Sequence, residues 1–204
     1  MPRYQPRDRF YRMARQRGLP SRAAFKLEEL LARYHLVDQG SRVLDLGCAP
    51  GGWLAVLAHA VGATGRVVGI DLQPCLPPAP SVITLAGDLN EQSLRQKAYR
   101  ALGGCADLVT CDMAPKLSGL RERDQEAMSE LFELALQTVT EILKPGGAFV
   151  AKVFMNPELK STIKRLQARF SATSLVRPLA TRRGSAELYL VATGFSRKAS
   201  KCAK

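Results

Sequence analysis

From residue 42 onward, short apolar runs alternate with segments of helical periodicity, and no other property of the chain narrows its fold so far. SRVLDLG, GRVVGIDL, VITLAGDL, DLVTCDM and GAFVAKVF are near-continuously apolar rather than alternating between apolar and polar. Strands of that kind are buried on both faces, as in a parallel sheet covered by helices. GGWLAVLAHAVG, LRQKAYRAL and the stretch from about Asp124 to Leu143 read as helices. The last is expected to stop at Lys144-Pro145-Gly146-Gly147, where proline and glycine oppose a further turn. A basic helix over ELKSTIKRLQARF and strands over SATSLVRP and AELYLVATGF complete the series. Upstream, SRAAFKLEELLARYHL places Ala24, Leu27, Leu31 and Tyr34 at helical spacing, with Ser21 as the expected N-cap and Lys26 off the apolar stripe. The expectation is an α/β fold, a mostly parallel seven-stranded sheet with helices on both faces, in a single domain over residues 1–204.

Charge is segregated along the chain. It carries 30 Lys and Arg against 18 Asp and Glu, a net +12. Residues 1–33 hold nine basic and three acidic side chains, 160–204 hold eleven and one, and the middle holds ten and fourteen. Solubility alone does not require basic ends around an acidic middle. Such a surface is the footprint of a polyanionic partner, nucleic acid or anionic membrane; the bland alternative is a solvated surface with no partner. Cys48, Cys75, Cys105, Cys111 and Cys202 form no CxxC pair, and only His35 and His59 could join them. This argues against a zinc site or a disulfide framework and for a reducing compartment, and no metal is expected. No apolar run approaches the ~18 residues of a membrane span, so no membrane association is expected. The Arg-rich first twenty residues lack the hydrophobic centre of a secretory signal, although their composition also suits a mitochondrial presequence. The chain is read as a cytoplasmic monomer without an obligate protein partner, with a basic leader over 1–20 and a disordered basic tail over 197–204.

Ligands of open parallel sheets gather at the carboxyl ends of the strands, where Asp71, Asp88 and Asp112 stand, with Lys152 inside the fifth strand. Each aspartate alone could be only the N-cap of a following helix. LDLGCAPGGW, residues 44–53, runs from an apolar strand into a glycine-rich turn. No GxxxxGK[ST] occurs, so triphosphate hydrolysis has little support. Gly47, Ala49 and Gly52 fall at the positions of the dinucleotide fingerprint, and Asp71 on the next strand could accept from both ribose hydroxyls. Ala49, however, replaces the glycine that lets backbone approach a pyrophosphate, and Pro50 has no N–H to donate. A turn with reduced anion-binding capacity suits a nucleoside cofactor without phosphate, of which S-adenosylmethionine is the common one. Asp88 would then receive the adenine amino group. The competing reading is a tight turn needed only for packing.

SRAAFKL, DLGCAPGGW, DMAP followed by SG, KPGG with FVAKVF, and SAELYLVATG occur in that order over nearly the whole chain. On these motifs the sequence resembles the FtsJ-like RNA 2′-O-ribose methyltransferases, and among them the bacterial members that methylate a uridine ribose in large-subunit ribosomal RNA. The resemblance implies a Rossmann-like class I S-adenosylmethionine-dependent methyltransferase fold, S-adenosylmethionine as cofactor, and ribosomal RNA within the large subunit as partner. It implies a Lys-Asp-Lys-Glu tetrad at Lys26, Asp112, Lys152 and Glu187. It further implies cofactor contacts at Gly47, Gly51, Gly52, Trp53, Asp71, Leu72, Asp88, Leu89 and Asp112. The leader RMARQRG also resembles the family's N-terminus, which speaks against a removable presequence. One departure stands out: Lys116 occupies the place where the family usually has Asn after DMAP. It leaves the tetrad intact and bears on RNA contact or cofactor-loop geometry.

A sulfonium methyl is already electrophilic, so such an enzyme must chiefly align a ribose oxygen behind it and help that oxygen lose its proton. A lysine near its reference pKa of ~10.4 is protonated and cannot act as a base. A second lysine nearby disfavours the charged form, whereas carboxylates stabilise it and fix position. On this reading Lys152 is the base, Lys26 the neighbour that depresses its pKa and orients substrate, and Asp112 and Glu187 are anchors. In the alternative, Lys152 stays protonated and steers the oxygen by hydrogen bonding while the proton leaves to water. Without the tetrad, Lys26 reads as a solvated helix residue and Lys152 as half of a structural salt bridge. Base methylation has less support: DMAPKLSG offers no aromatic to stack a flipped base, and Lys116 stands where an RNA cytosine-C5 enzyme needs its cysteine. Cys111 is expected in packed core. Arg22, Lys160, Lys164, Arg182 and Arg183 flank the tetrad segments and are expected to neutralise phosphates, leaving target choice to RNA shape or to a pre-assembled particle. Three rivals stay open. They are a 2′-O-methyltransferase of transfer RNA or a cap, a nicotinamide-dependent oxidoreductase, and a non-catalytic RNA-binding assembly factor.

Overall fold

A computed structural model describes residues 8–115, 118–157, 159–182 and 184–197. Lys116, Arg183 and the tail from 198 onward, which the sequence singles out, lie outside the described residues. The elements in chain order are α1 (Arg9–Gln16), α2 (Ala23–Tyr34), β1 (Arg42–Leu46), α3 (Gly52–Val61), β2 (Arg66–Asp71), β3 (Val82–Ala86) and α4 (Gln92–Leu102). They continue with β4 (Ala106–Cys111), α5 (Arg121–Ile142), β5 (Leu143–Phe154), α6 (Leu159–Gln167), β6 (Phe170–Val176) and β7 (Glu187–Phe195). The strands stand in the order β3-β2-β1-β4-β5-β7-β6, with β7 running opposite to the other six. Strand order reverses beside β1, so a crevice opens between the carboxyl ends of β1 and β4.

The expected burial on both faces is present. Leu27 and Leu30 of α2 and Trp53, Leu54 and Leu57 of α3 pack with Val43, Val67, Leu108 and Tyr189 on one face. Leu94 of α4, Phe132 and Leu136 of α5 and Leu166 of α6 pack with Leu44, Val68, Val109 and Phe149 on the other. Successive residues of one strand, such as Val43 and Leu44, thus serve opposite layers, which is why these strands read as unbroken apolar runs.

Three local expectations are corrected. The N-cap of α2 is Arg22, without a side-chain cap bond, rather than Ser21. Ser21 instead lies against Gly52, where a Cβ would come within 2.3 Å of its Oγ, so the glycine allows α2 to dock on the start of α3. Helix α5 begins at Arg121, three residues earlier than expected, and the Asp124 carboxylate accepts from the amides of Ser118 at 2.7 Å and Gly119 at 3.1 Å. Helix α5 does stop before Pro145, ending at Ile142, but the fifth strand, expected from Gly147, starts at Leu143, so Lys144 to Gly147 lie within β5. A register shift between the pairs Ala106↔Leu143 and Leu108↔Ala148 bulges the strand and accommodates Pro145 and Gly146.

The basic charge of the leader hides a helix. Phe10 and Ala14 of α1, four apart, pack with Phe25, Leu19 and Ala180, and Asp8 caps the helix by accepting the Tyr11 N–H at 3.0 Å. Arg9, Arg12 and Arg15 remain exposed on its outer side.

Candidate active site

The pairing of β5 with β7 builds one half of the site. Lys152 lies opposite Tyr189, and Phe154 opposite Glu187, so Lys152, Tyr189 and Glu187 share one face of the sheet. Asp112 extends β4 by one residue, its N–H bonded to the Leu46 carbonyl at 3.0 Å, and follows Cys111, which pairs with Ala151. Lys26 arrives from α2 on the same side.

These groups join into one network. Lys26 Nζ donates to Glu187 Oε1 and lies 3.5 Å from Tyr189 Oη. Tyr189 Oη donates to Asp112 Oδ1 at 3.2 Å. Lys152 Nζ is 3.0 Å from that same Oδ1 and donates to the Asp112 backbone carbonyl at 2.7 Å. The side chains of Lys26 and Lys152 are only 12% and 10% exposed, which overturns the solvated-helix reading of Lys26. Both ammonium-bearing chains, distant in the sequence, reach the Tyr189–Asp112 pair.

Tyr189 is the member that sequence reasoning missed, although its place two residues after Glu187 on one strand face was legible. It is fully buried, its ring 5.8 Å from that of Trp53. Burial, together with the Asp112 and Glu187 carboxylates, pushes its phenol far above the ordinary range, so it remains a neutral hydroxyl.

Beside the network a cleft of about 620 Å³ occupies the crevice between β1 and β4, a size suited to a small-molecule site. Gly47, Asp71, Leu72, Asp88, Leu89 and Asp112, six of the nine expected cofactor contacts, line it. Gly47 has a φ of 77°, and a Cβ there would stand 2.8 Å from the Met113 amide nitrogen, so only glycine lets the turn cross the end of β4. The Asp71 carboxylate is held from behind by the amides of Ala49 at 3.0 Å and Gln73 at 2.9 Å. A carboxylate has about four acceptor positions, so it can still receive ribose hydroxyls. Asp88 is similarly oriented by the Asn90 amide at 2.9 Å.

Gly51, Gly52 and Trp53 do not line this cleft. Gly51 is the N-cap of α3, without a side-chain cap bond, and the first N–H groups of the helix are the donors these residues offer to an anion. The Trp53 side chain is turned into the core, where Nε1 donates to the Ala23 carbonyl at 3.0 Å. The donor set suits S-adenosylmethionine: a carboxylate for the ribose, a helix start for the amino-acid carboxylate, and no amide at Pro50 to cradle a pyrophosphate.

Under the site lies a group with no assigned role. Asp45 of β1 is fully buried; its Oδ1 accepts from Thr110 Oγ1 at 2.7 Å, and its Oδ2 has no hydrogen-bond partner among the described residues. Burial pushes its carboxyl up to about 8, and the carboxylates of Asp112 and Asp71 add to the shift. Cys111 is buried in the core as expected, its thiol pushed up to about 12 by burial.

Of the residues expected to meet phosphate, Lys160 and Lys164 are exposed on α6. Arg182 is half-buried in the segment before β7. Arg22 is engaged internally, pairing with Asp8 and donating to the Ala180 carbonyl, so it ties α1 and the segment before β7 to α2. Among the described residues no His, Cys, Asp or Glu cluster is placed to hold a metal, and no helix is long and apolar enough to cross a membrane.

A seven-stranded sheet with one antiparallel strand beside its edge and a nucleoside-sized cleft at the strand-order reversal defines a class I S-adenosylmethionine-dependent methyltransferase. Two solved structures share the fold. A ribosomal RNA methyltransferase from Plasmodium falciparum superposes with a TM-score of 0.73 at 24% identity, over 86% of this chain and 97% of that one. Fibrillarin from Aeropyrum pernix, crystallised with natively bound S-adenosyl-L-methionine, gives 0.56 at 18% identity, over 84% and 73%. The family model for FtsJ-like methyltransferases matches residues 19–195, and the chain belongs to that family. The ribosomal RNA large subunit methyltransferase E of Anaeromyxobacter dehalogenans is 44% identical over 201 residues, 98% of this chain and 75% of that relative. Its counterpart from Myxococcus xanthus is 41% identical, over 96% of this chain and 92% of that relative.

Proposed function

We propose that this protein transfers the methyl group of S-adenosylmethionine to the 2′-hydroxyl of a uridine ribose in large-subunit ribosomal RNA. The observation that carries the reading is the network joining Glu187, Lys26, Tyr189, Asp112 and Lys152 beside the nucleoside cleft. The relatives, similar along nearly the whole chain and named for large-subunit ribosomal RNA methylation, support the substrate class.

S-adenosylmethionine, when bound, supplies a methyl group that is already electrophilic. Asp71 and Asp88, with Leu72 and Leu89, hold the nucleoside end, while the N–H groups at the start of α3 receive a carboxylate. Lys152 is the base. Asp112 Oδ1 and the Asp112 carbonyl hold Nζ by two contacts and leave its remaining bonding position for the ribose proton. That proton then passes from Nζ to solvent. Lys26, held by Glu187, orients the acceptor ribose and stabilises negative charge developing on its oxygen. Tyr189 keeps Lys26 and Asp112 at a fixed separation.

The exposed Arg9, Arg12 and Arg15 of α1 and Lys160 and Lys164 of α6 neutralise phosphates of the RNA. Arg22 serves the same surface indirectly, by fixing α1 against α2. The test incubates the protein and tritiated S-adenosylmethionine with large ribosomal subunits from cells that lack the enzyme, followed by nuclease digestion. Label in 2′-O-methyluridine from large-subunit RNA is expected. Label on a base, or RNA binding without transfer by a preparation that binds S-adenosylhomocysteine, would overturn the reading.

A further inference from the structure

Arg95, in the first turn of α4, is a charged side chain buried to 5% exposure and outside the network described above. Its Nη1 donates to the carbonyls of Leu89 at 2.7 Å and Asn90 at 3.0 Å. Its Nε donates to Glu141 Oε2 at 2.8 Å and its Nη2 to Glu141 Oε1 at 3.3 Å, a two-pronged grip on one carboxylate. Gln137 Nε2 steadies that carboxylate from the preceding turn at 3.1 Å.

The acceptors belong to two elements that both contribute to the cofactor cleft: the loop after Asp88, and α5, whose Glu141 lies outside the cleft. Leu89 and Asn90 line it on the side of β3, directly after Asp88; Leu131 and Leu134 of α5 line it opposite. Leu134 and Glu141 are seven residues apart, two turns along one face of α5. We infer that Arg95 is a positioning residue for the cofactor, one guanidinium that ties the Asp88–Asn90 loop to α5 and so sets the width of the nucleoside end of the cleft. Arginine is seldom buried without partners, and here the hydrogen bonds of the guanidinium end on the loop that lines the cleft and on α5 two turns beyond Leu134. A lysine could not replace it, because one ammonium cannot make the planar fork to Glu141 and reach two carbonyls behind it.

The inference rests on the cleft being the cofactor site and is independent of the RNA substrate. The test measures binding of S-adenosylhomocysteine to the full chain by calorimetry, with melting temperature alongside, for Arg95→Met, Arg95→Lys and Glu141→Gln. Steady-state transfer to large subunits is measured in parallel. Loss of charge-assisted hydrogen bonds to the loop is expected to weaken S-adenosylhomocysteine binding roughly tenfold in Arg95→Met, less in Arg95→Lys, and about threefold in Glu141→Gln. KM for S-adenosylmethionine should rise in step, with kcat within about twofold of the parent. If Arg95→Met does not fold, Arg95→Lys and Glu141→Gln decide. Unchanged affinity in those two, whatever their melting temperatures, overturns the inference, as does a fall in kcat at constant KM. Because S-adenosylhomocysteine binding needs no RNA, failure of the ribose reading would leave this result intact, and the reverse also holds.

Discussion

Asp45→Asn should flatten the dependence of stability on pH between 6 and 8. The native carboxyl lies at about 8 against 3.8 for an ordinary aspartate, because burial and the neighbouring Asp112 and Asp71 disfavour its charge. A carboxyl raised on folding binds its proton more tightly in the native state. Stability therefore falls as pH rises from the unfolded value and levels off above the native one. Integrated from pH 6, where the native group is protonated, to pH 8, where it is half ionised, the loss is about 2 kcal/mol. Asparagine keeps an acceptor for Thr110 and carries no charge, so it removes the slope. Its amide would face the position where Oδ2 has no partner, which lowers stability by about 1–3 kcal/mol at pH 6, an offset that shrinks as the parent loses stability toward pH 8. The slope is accordingly the informative quantity. Urea unfolding followed by circular dichroism at pH 6, 7 and 8 should show the parent midpoint falling by roughly 1 M relative to the variant. The window ends at 8 because Cys48 and Cys111, raised by burial, would add losses of the same sign once unfolded thiols ionise. Parallel pH profiles for the two proteins would refute the assignment of a proton to Asp45.

Two further outcomes follow from the site. Tyr189→Phe deletes the hydroxyl shared by Lys26 and Asp112; one lost hydrogen bond of about 1 kcal/mol predicts roughly fivefold slower transfer with S-adenosylhomocysteine affinity unchanged, measured by steady-state kinetics and calorimetry. Reversing charge at Arg12 and Arg15 together should weaken RNA binding and make its salt dependence shallower, by about 0.7–0.9 in log–log slope for each phosphate no longer neutralised, in a filter-binding titration.

Much of the fold was legible because each strand faces two layers. Val43 and Leu44, or Val67 and Val68, are apolar in succession for that reason, and the sheet direction follows. The errors fell where tertiary contacts outweigh local preference. Pro145 and Gly146 correctly signal the end of a helix but disfavour a strand, yet a bulge against β4 carries them into β5. Ser21 has the chemistry of a cap, but packing against Gly52 takes its place. Helix α1 was hidden because arginines surround the apolar pair Phe10 and Ala14, whose partner Ala180 lies far along the chain. At the site, Lys26 and Glu187 are 161 residues apart, and only the resemblance to a family brought them together before coordinates did. Tyr189 escaped because a tyrosine within an apolar strand reads as core, which it also is. Trp53 shows the opposite case, a residue in a recognisable motif whose ring packs in the core while its backbone carries the function.

Single-turnover transfer by Lys152→Met, at saturating S-adenosylmethionine and saturating large subunits, tests whether methyl transfer depends on the amine held at Asp112. A rate at least about 100-fold below the parent is expected, the range of a lost general base, with S-adenosylhomocysteine bound as tightly as before. A rate within a few-fold of the parent would contradict it.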